Sequence, residues 1–124
     1  MEVASLTELQ LAVMKALWRI REGTVADVLA AMTTEGRVLA PTTVATLLQR
    51  LSKQGWVQHR KSGRQFLYRA KIDERQAAQG VLQRLLKSFF HGKVSALTAH
   101  LVESEQISRE DLEQMRALLN KKGD

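Results

Sequence analysis

Apolar positions in the first fifty residues recur at helical intervals. Leu6, Leu9, Val13, Leu17 and Ile20 form one stripe, and Leu11, Met14 and Trp18 form a second at i, i+3, i+7. This pattern predicts a helix over 6–20 that is buried on two sides, facing a further domain or a partner chain as well as its own core. Ser5 and Glu8 stand in capping-box spacing at its start. Gly23 ends the element, and Thr24 with Asp27 repeats the spacing to open a short helix of about two turns. Val25, Val28, Leu29 and Met32 are its inward positions. Residues 33–37 are turn-like, after which Pro41, the only proline, sits where an N1 proline begins a third helix that Gly55 closes.

The third helix has two unlike faces. Val44, Leu47, Leu48 and Leu51 make a narrow inward stripe. At about 100° per residue, Thr42, Thr46, Gln49 and Lys53 lie opposite, flanked by Thr43, Ala45 and Arg50. Short hydrogen-bonding groups and bases, with no acid, are an unusual composition for a merely solvated face. Two β-prone runs follow, 56–60 and 65–69, joined by Lys61-Ser62-Gly63-Arg64 in a hairpin pattern. With Lys61 opposite Arg64, Val57 pairs with Tyr68 and His59 with Phe66. Arg60, Lys61 and Arg64 then cluster at the tip.

From Asp73, a good N-cap, a long helix is expected to about Phe90, with Ala77, Val81, Leu85, Leu86 and Phe89 apolar. A shorter helix over 94–103 carries Leu97 and Leu101, and Ser108 with Asp111 caps a last helix bearing Leu112, Met115, Leu118 and Leu119. Amphipathic helices of this kind cannot bury their apolar faces alone. A second copy of the chain is the natural cover, with Val81, Leu85, Phe89, Leu97, Leu101, Leu112, Met115 and Leu119 as the expected dimer contacts.

Charge changes the picture. The chain of 124 residues carries a formal net charge of +6, and its distribution is uneven. Residues 1–70 hold 10 basic and 5 acidic residues, against 9 and 8 in residues 71–124. No acid occurs between Glu35 and Asp73, whereas Arg37, Arg50, Lys53, Arg60, Lys61, Arg64, Arg69 and Lys71 all fall there. Such an excess suits a polyanion.

The residues also exclude much. There is no cysteine, hence no disulfide, no thiol nucleophile and no thiolate metal site. His59, His91 and His100 match no metal spacing, so no metal and no cofactor are expected. No HExxH, no GxSxG and no phosphate-cradling glycine loop is present, which argues against an enzyme. No apolar run approaches a membrane span, and the Met1-Glu2-Val3-Ala4-Ser5 start lacks a signal-like segment, so a cytoplasmic location is expected.

Helix, short helix, proline-started helix and basic hairpin in that order describe a winged helix-turn-helix. The fold expected is mainly α with a small β-hairpin wing: a winged helix-turn-helix over 1–70 and a helical dimerisation region over 71–124. Its function follows as sequence-specific binding of double-stranded DNA. Thr42, Thr43, Thr46, Gln49, Arg50 and Lys53 would lie along the major groove, and Arg60, Lys61 and Arg64 would meet phosphates. The alternative is a winged-helix module that joins proteins without binding DNA.

The stretches Leu6–Trp18 (LTELQLAVMKALW), Thr24–Val28 (TVADV), Thr42–Leu51 (TTVATLLQRL), Gly55–Val57, Phe66–Arg69 and Ser108–Leu119 (SREDLEQMRALL) together resemble the penicillinase repressor family. That resemblance implies a transcriptional repressor acting as a homodimer on a palindromic operator, with interlocking C-terminal helices. Copper-responsive members carry a C-terminal cysteine motif that this chain lacks. β-Lactam-responsive members are cut by a sensor protease at an Asn-Phe bond, where this chain has His100-Leu101. The replacement argues against a sensor protease as a partner.

Overall fold

A computed structural model describes residues 6–123. The chain divides into two compact units, Met1–Val81 and Leu82–Asp124. That division lies later than the boundary read from the sequence at residue 70, and Ala77, at 4% exposure, belongs to the first unit's core.

The first unit contains α1 (Glu8–Ile20), β1 (Glu22–Gly23), α2 (Val25–Thr34), α3 (Pro41–Lys53), β2 (Val57–Ser62), β3 (Gln65–Ala70) and the start of α4 (Glu74–Phe89). The cap of α1 is Thr7, not Ser5. Gln10 N donates to Thr7 Oγ1 at 3.1 Å and Thr7 N donates to Gln10 Oε1 at 3.0 Å. Ser5 itself lies outside the described residues. Of the two stripes expected on α1, Val13, Met14 and Leu17 are fully buried, Trp18 is half-buried and Leu11 is exposed. The Thr24–Asp27 box forms as expected, with Thr24 N donating to Asp27 Oδ2 at 2.9 Å.

The α3 stripe lies in the core, Val44, Leu48 and Leu51 at 0% and Leu47 at 9% exposure. Ala40 supplies no side-chain cap to this helix, and Pro41 at N1 removes one unsatisfied N–H. Past its C-terminus, Gly55 takes φ +86° and lets Trp56 N donate back to the Leu51 carbonyl at 2.9 Å. The chain thereby turns Trp56, fully buried, under the helix.

The sheet has three strands in the order β1-β3-β2, all antiparallel. β1 was not expected, since two residues carry no periodicity. The hairpin register also differs from expectation. Val57 pairs with Ala70, His59 with Tyr68, Lys61 with Phe66 and Ser62 with Gln65, which leaves Gly63-Arg64 as the turn. Gly63 sits at φ +63°, a conformation glycine adopts without strain and Ser62 does not, so the loop centres one residue later than a Ser62-Gly63 turn. The change moves each partner by two positions and preserves which face each side chain occupies. His59 still meets Phe66, as a diagonal neighbour with ring centroids 4.8 Å apart, and lies 5.5 Å from the Tyr68 ring.

The second unit holds the remainder of α4, then α5 (Val94–Glu103) and α6 (Arg109–Gly123). Asp73 with Gln76 and Ser108 with Asp111 form the boxes that open α4 and α6. No helix among the described residues is long and apolar enough to cross a membrane.

Candidate nucleic-acid interface

Burial of the α3 stripe leaves the opposite face outward. Thr42, Thr43, Thr46, Gln49, Arg50 and Lys53 are all exposed. The Thr46 hydroxyl donates to the Thr42 carbonyl at 2.9 Å, so its hydrogen is committed to the helix while an oxygen lone pair and the γ-methyl remain for a ligand. Arg50 and Lys53 occupy the last turns, where their charge also complements the helix dipole.

Two long-range bonds hold this helix and its neighbours in place. Gln10, 5% exposed on α1, donates through Nε2 to Oε1 of Gln54, the α3 C-cap, at 3.4 Å. Trp18 Nε1 donates to the Ile72 carbonyl at 2.8 Å, tying α1 to the segment that follows the wing.

The structure revises the charge pattern. Of the eight basic residues between Glu35 and Asp73, two acquire carboxylate partners from outside that window: Arg37 pairs with Glu8 at 3.1 Å and Arg60 with Glu22 at 3.0 Å. A third pair joins Arg19 to Glu35. Arg50, Lys53, Lys61, Arg64, Arg69 and Lys71 make no ion pair among the described residues, and all six are exposed.

Strand alternation separates the wing cations. Lys61 shares a face with Val57, His59, Phe66 and Tyr68, whereas Arg60 lies on the other face with Gln58, Arg69 and Glu22. Arg64 is in the turn itself. Arg60 and Lys61, neighbours along the chain, therefore lie on opposite faces of the hairpin. Gln10 and Glu22 were missed, and so was the pairing of Glu8 with Arg37. The partners of Gln10, Glu8 and Glu22 lie 44, 29 and 38 residues away, beyond any local pattern.

The expected dimer residues are mostly exposed. Val81 (48%), Leu85 (38%), Phe89 (75%), Leu112 (42%), Met115 (46%) and Leu119 (70%) are exposed, and Leu97 and Leu101 are half-buried. Among the described residues no group of three or more His, Cys, Asp or Glu is placed to hold a metal ion.

Three helices, an intervening strand and a basic hairpin, with α3 presenting an acid-free face, define a winged helix-turn-helix protein. The penicillinase repressor family model matches residues 6–121, and the chain belongs to that family of transcriptional repressors. Its relatives include the penicillinase repressor of Bacillus licheniformis, 26% identical over 118 residues that span 95% of this chain and 91% of the relative. The methicillin resistance regulatory protein MecI of Staphylococcus aureus (strain N315) is 29% identical over 83 residues, 67% of this chain and 68% of that one. Among solved structures, the DNA binding domain of the repressor BlaI superposes with a TM-score of 0.52 at 31% identity, covering 60% of this chain and 89% of that one. The oxidised form of MarR from E. coli shares the fold at 16% identity, with a TM-score of 0.53 over 98% of this chain and 78% of that one.

Proposed function

We propose that this repressor binds a two-fold operator in duplex DNA as a homodimer in the cytoplasm, with α3 in the major groove and the wing tip against the flanking backbone. The observation that carries the reading is the acid-free outward face of α3, where Arg50 and Lys53 are exposed and unpaired, followed in the chain by a hairpin whose Lys61 and Arg64 are exposed and unpaired too. Lys61 and Arg64 serve as phosphate contacts, which position the protein without reading sequence. Thr42, Thr43 and Thr46 occupy the first turns of α3, the part of a recognition helix that reaches base edges. Thr46 has a methyl to set against a thymine methyl and a lone pair for an exocyclic amine. Gln49, Arg50 and Lys53 continue the contact along the groove toward phosphate. The exposed apolar faces of α4, α5 and α6 join two copies, spacing their α3 helices about one turn of DNA apart.

Competition binding of Thr46→Ala tests the base-reading part. The position is exposed and alanine is the better helix former, so the fold should be kept. Affinity for the best site should fall by about 1–3 kcal/mol, with little change on scrambled duplex. An unchanged ratio between the two duplexes would remove Thr46 from the reading set.

A further inference from the structure

The wing carries one arginine that its own sheet already holds. Glu22 is the only carboxylate in the three strands. It engages Arg60 in a fork: Arg60 Nε donates to Glu22 Oε2 at 3.3 Å and Nη2 to Oε1 at 3.0 Å. Both carboxylate oxygens are thus directed at one guanidinium, the arrangement in which an arginine is most firmly oriented. The carboxylate is held in place by backbone. β1 pairs with β3 through Glu22↔Arg69 and Gly23↔Tyr68, and the buried Gly23 fixes the strand against α2.

We infer that Glu22 withholds Arg60 from DNA, and so sets how many wing cations neutralise phosphate. To reach a phosphate, Arg60 must surrender two charge-assisted hydrogen bonds and leave a carboxylate uncompensated beside a polyanion. Lys61 and Arg64 face no such cost, because neither makes an ion pair among the described residues. Glu22 is therefore a positioning residue. It lowers affinity for every duplex alike and leaves discrimination to α3.

Arg60 is exposed, at 62%, and Glu22 is half-buried, at 33%, so the pair lies near the surface and removing it should change folding little. The inference rests on the DNA-binding reading, and the experiment separates the two. Affinity of the full chain for a duplex of arbitrary sequence is measured against salt for the wild type, Glu22→Gln, Arg60→Ala, Glu22→Gln/Arg60→Ala and Lys61→Ala. Each phosphate contact contributes about 0.9 to the slope of log affinity on log salt. Glu22→Gln should steepen the slope by about 0.9, which over a fourfold rise in salt is a further loss of about 3.5-fold. In the Glu22→Gln background Arg60→Ala should restore the wild-type slope, whereas Arg60→Ala alone bares Glu22 and should lower affinity without steepening the slope. Lys61→Ala should make the slope shallower by about 0.9 whether or not Glu22 acts as inferred.

A slope shallower than wild type for Glu22→Gln/Arg60→Ala would make Arg60 a phosphate contact in the native protein and overturn the inference. So would an unchanged slope for Glu22→Gln beside a shallower one for Lys61→Ala. A wild type with no salt dependence would instead remove the DNA-binding reading itself.

Discussion

The first unit buries its own apolar faces, whereas the second leaves most of its own uncovered. Val13, Met14, Leu17, Val28, Val44, Leu48, Leu51 and Trp56 all lie at 0% exposure in the first. In the second, Leu86 is the single buried residue among those described, and Phe89, Val94, Leu118 and Leu119 stand at 63–75% exposure. Helical periodicity is present in both. The difference is geometric: α1, α2 and α3 pack against one another and against the sheet, while α5 and α6 form no extended packing with each other. An amphipathic pattern therefore specifies a helix with a sticky face, and only the crossing partners decide whether one chain can cover it. Each large side chain left in water forgoes about 1.5–3 kcal/mol relative to its buried state, and the proposed homodimer would recover part of that.

The sharpest way to break this comparison is to truncate one leucine in each unit. Leu48→Ala should cost about 2–5 kcal/mol of stability, independent of protein concentration, as measured by urea unfolding. Leu119→Ala should leave the folding of the first unit unchanged and instead raise the concentration at which the protein dissociates, as followed by sedimentation equilibrium. If Leu119→Ala changed neither dissociation nor stability, the α6 face would not be an interface. If Leu48→Ala acted only on dissociation, the first unit's core would not be self-sufficient.

Glycines probe the same contrast with a single methyl. A Cβ added at Gly23 would meet the Asp27 Cβ and the Ile20 Cδ1, each at 2.8 Å, whereas one at Gly123 meets nothing within 4 Å. Gly23→Ala should therefore destabilise by about 1–3 kcal/mol, because the Asp27 Cβ belongs to a capped helix that cannot yield freely. Gly123→Ala should fall within about 0.5 kcal/mol of wild type. Thermal unfolding of the two variants side by side measures the difference, and equal midpoints would mean that the first unit is no more tightly packed than the second.

What the sequence made legible follows from how local each signal is. The α3 stripe, the Thr24–Asp27 box and the Ser108–Asp111 box are set within one or two helical turns, and the structure places them as the spacing implied. The cap of α1 was ambiguous in principle, since Ser5–Glu8 and Thr7–Gln10 share one spacing. What distinguishes Thr7–Gln10 is that the Gln10 side chain is buried and also reaches Gln54, far along the chain. The turn KSGR admits two loops, and the positive φ of Gly63 selects the one centred on Gly63-Arg64. β1 exists only because β3 pairs with it. The candidate interface divides in the same manner. The composition of the α3 face was readable, but the neutralisation of Arg37 and Arg60 was not, because Glu8 and Glu22 arrive through tertiary folding.

The smallest expected effect concerns the cap that opens α6, the most exposed helix of the looser unit. Ser108 N donates to Asp111 Oδ2 at 2.9 Å, and Asp111 N donates to Ser108 Oγ at 3.0 Å. The hydrogen bond from the Ser108 backbone, with a further contribution from its hydroxyl, holds the Asp111 carboxyl below its ordinary value of 3.8. A carboxyl lowered in the folded state stabilises it above the ordinary pKa, and that stabilisation is lost as pH falls through the lowered value. The first turn of α6 should therefore stay formed at pH 5, then fray in acid below the ordinary carboxylate range. NMR titration of the Asp111 carboxyl should give a midpoint under 3.8. Ser108→Ala should move that midpoint only part of the way back, since the backbone N–H survives the substitution. A midpoint at or above the ordinary value in the native chain would show that the box does not persist in solution, and that α6 does not hold its first turn by local bonds alone.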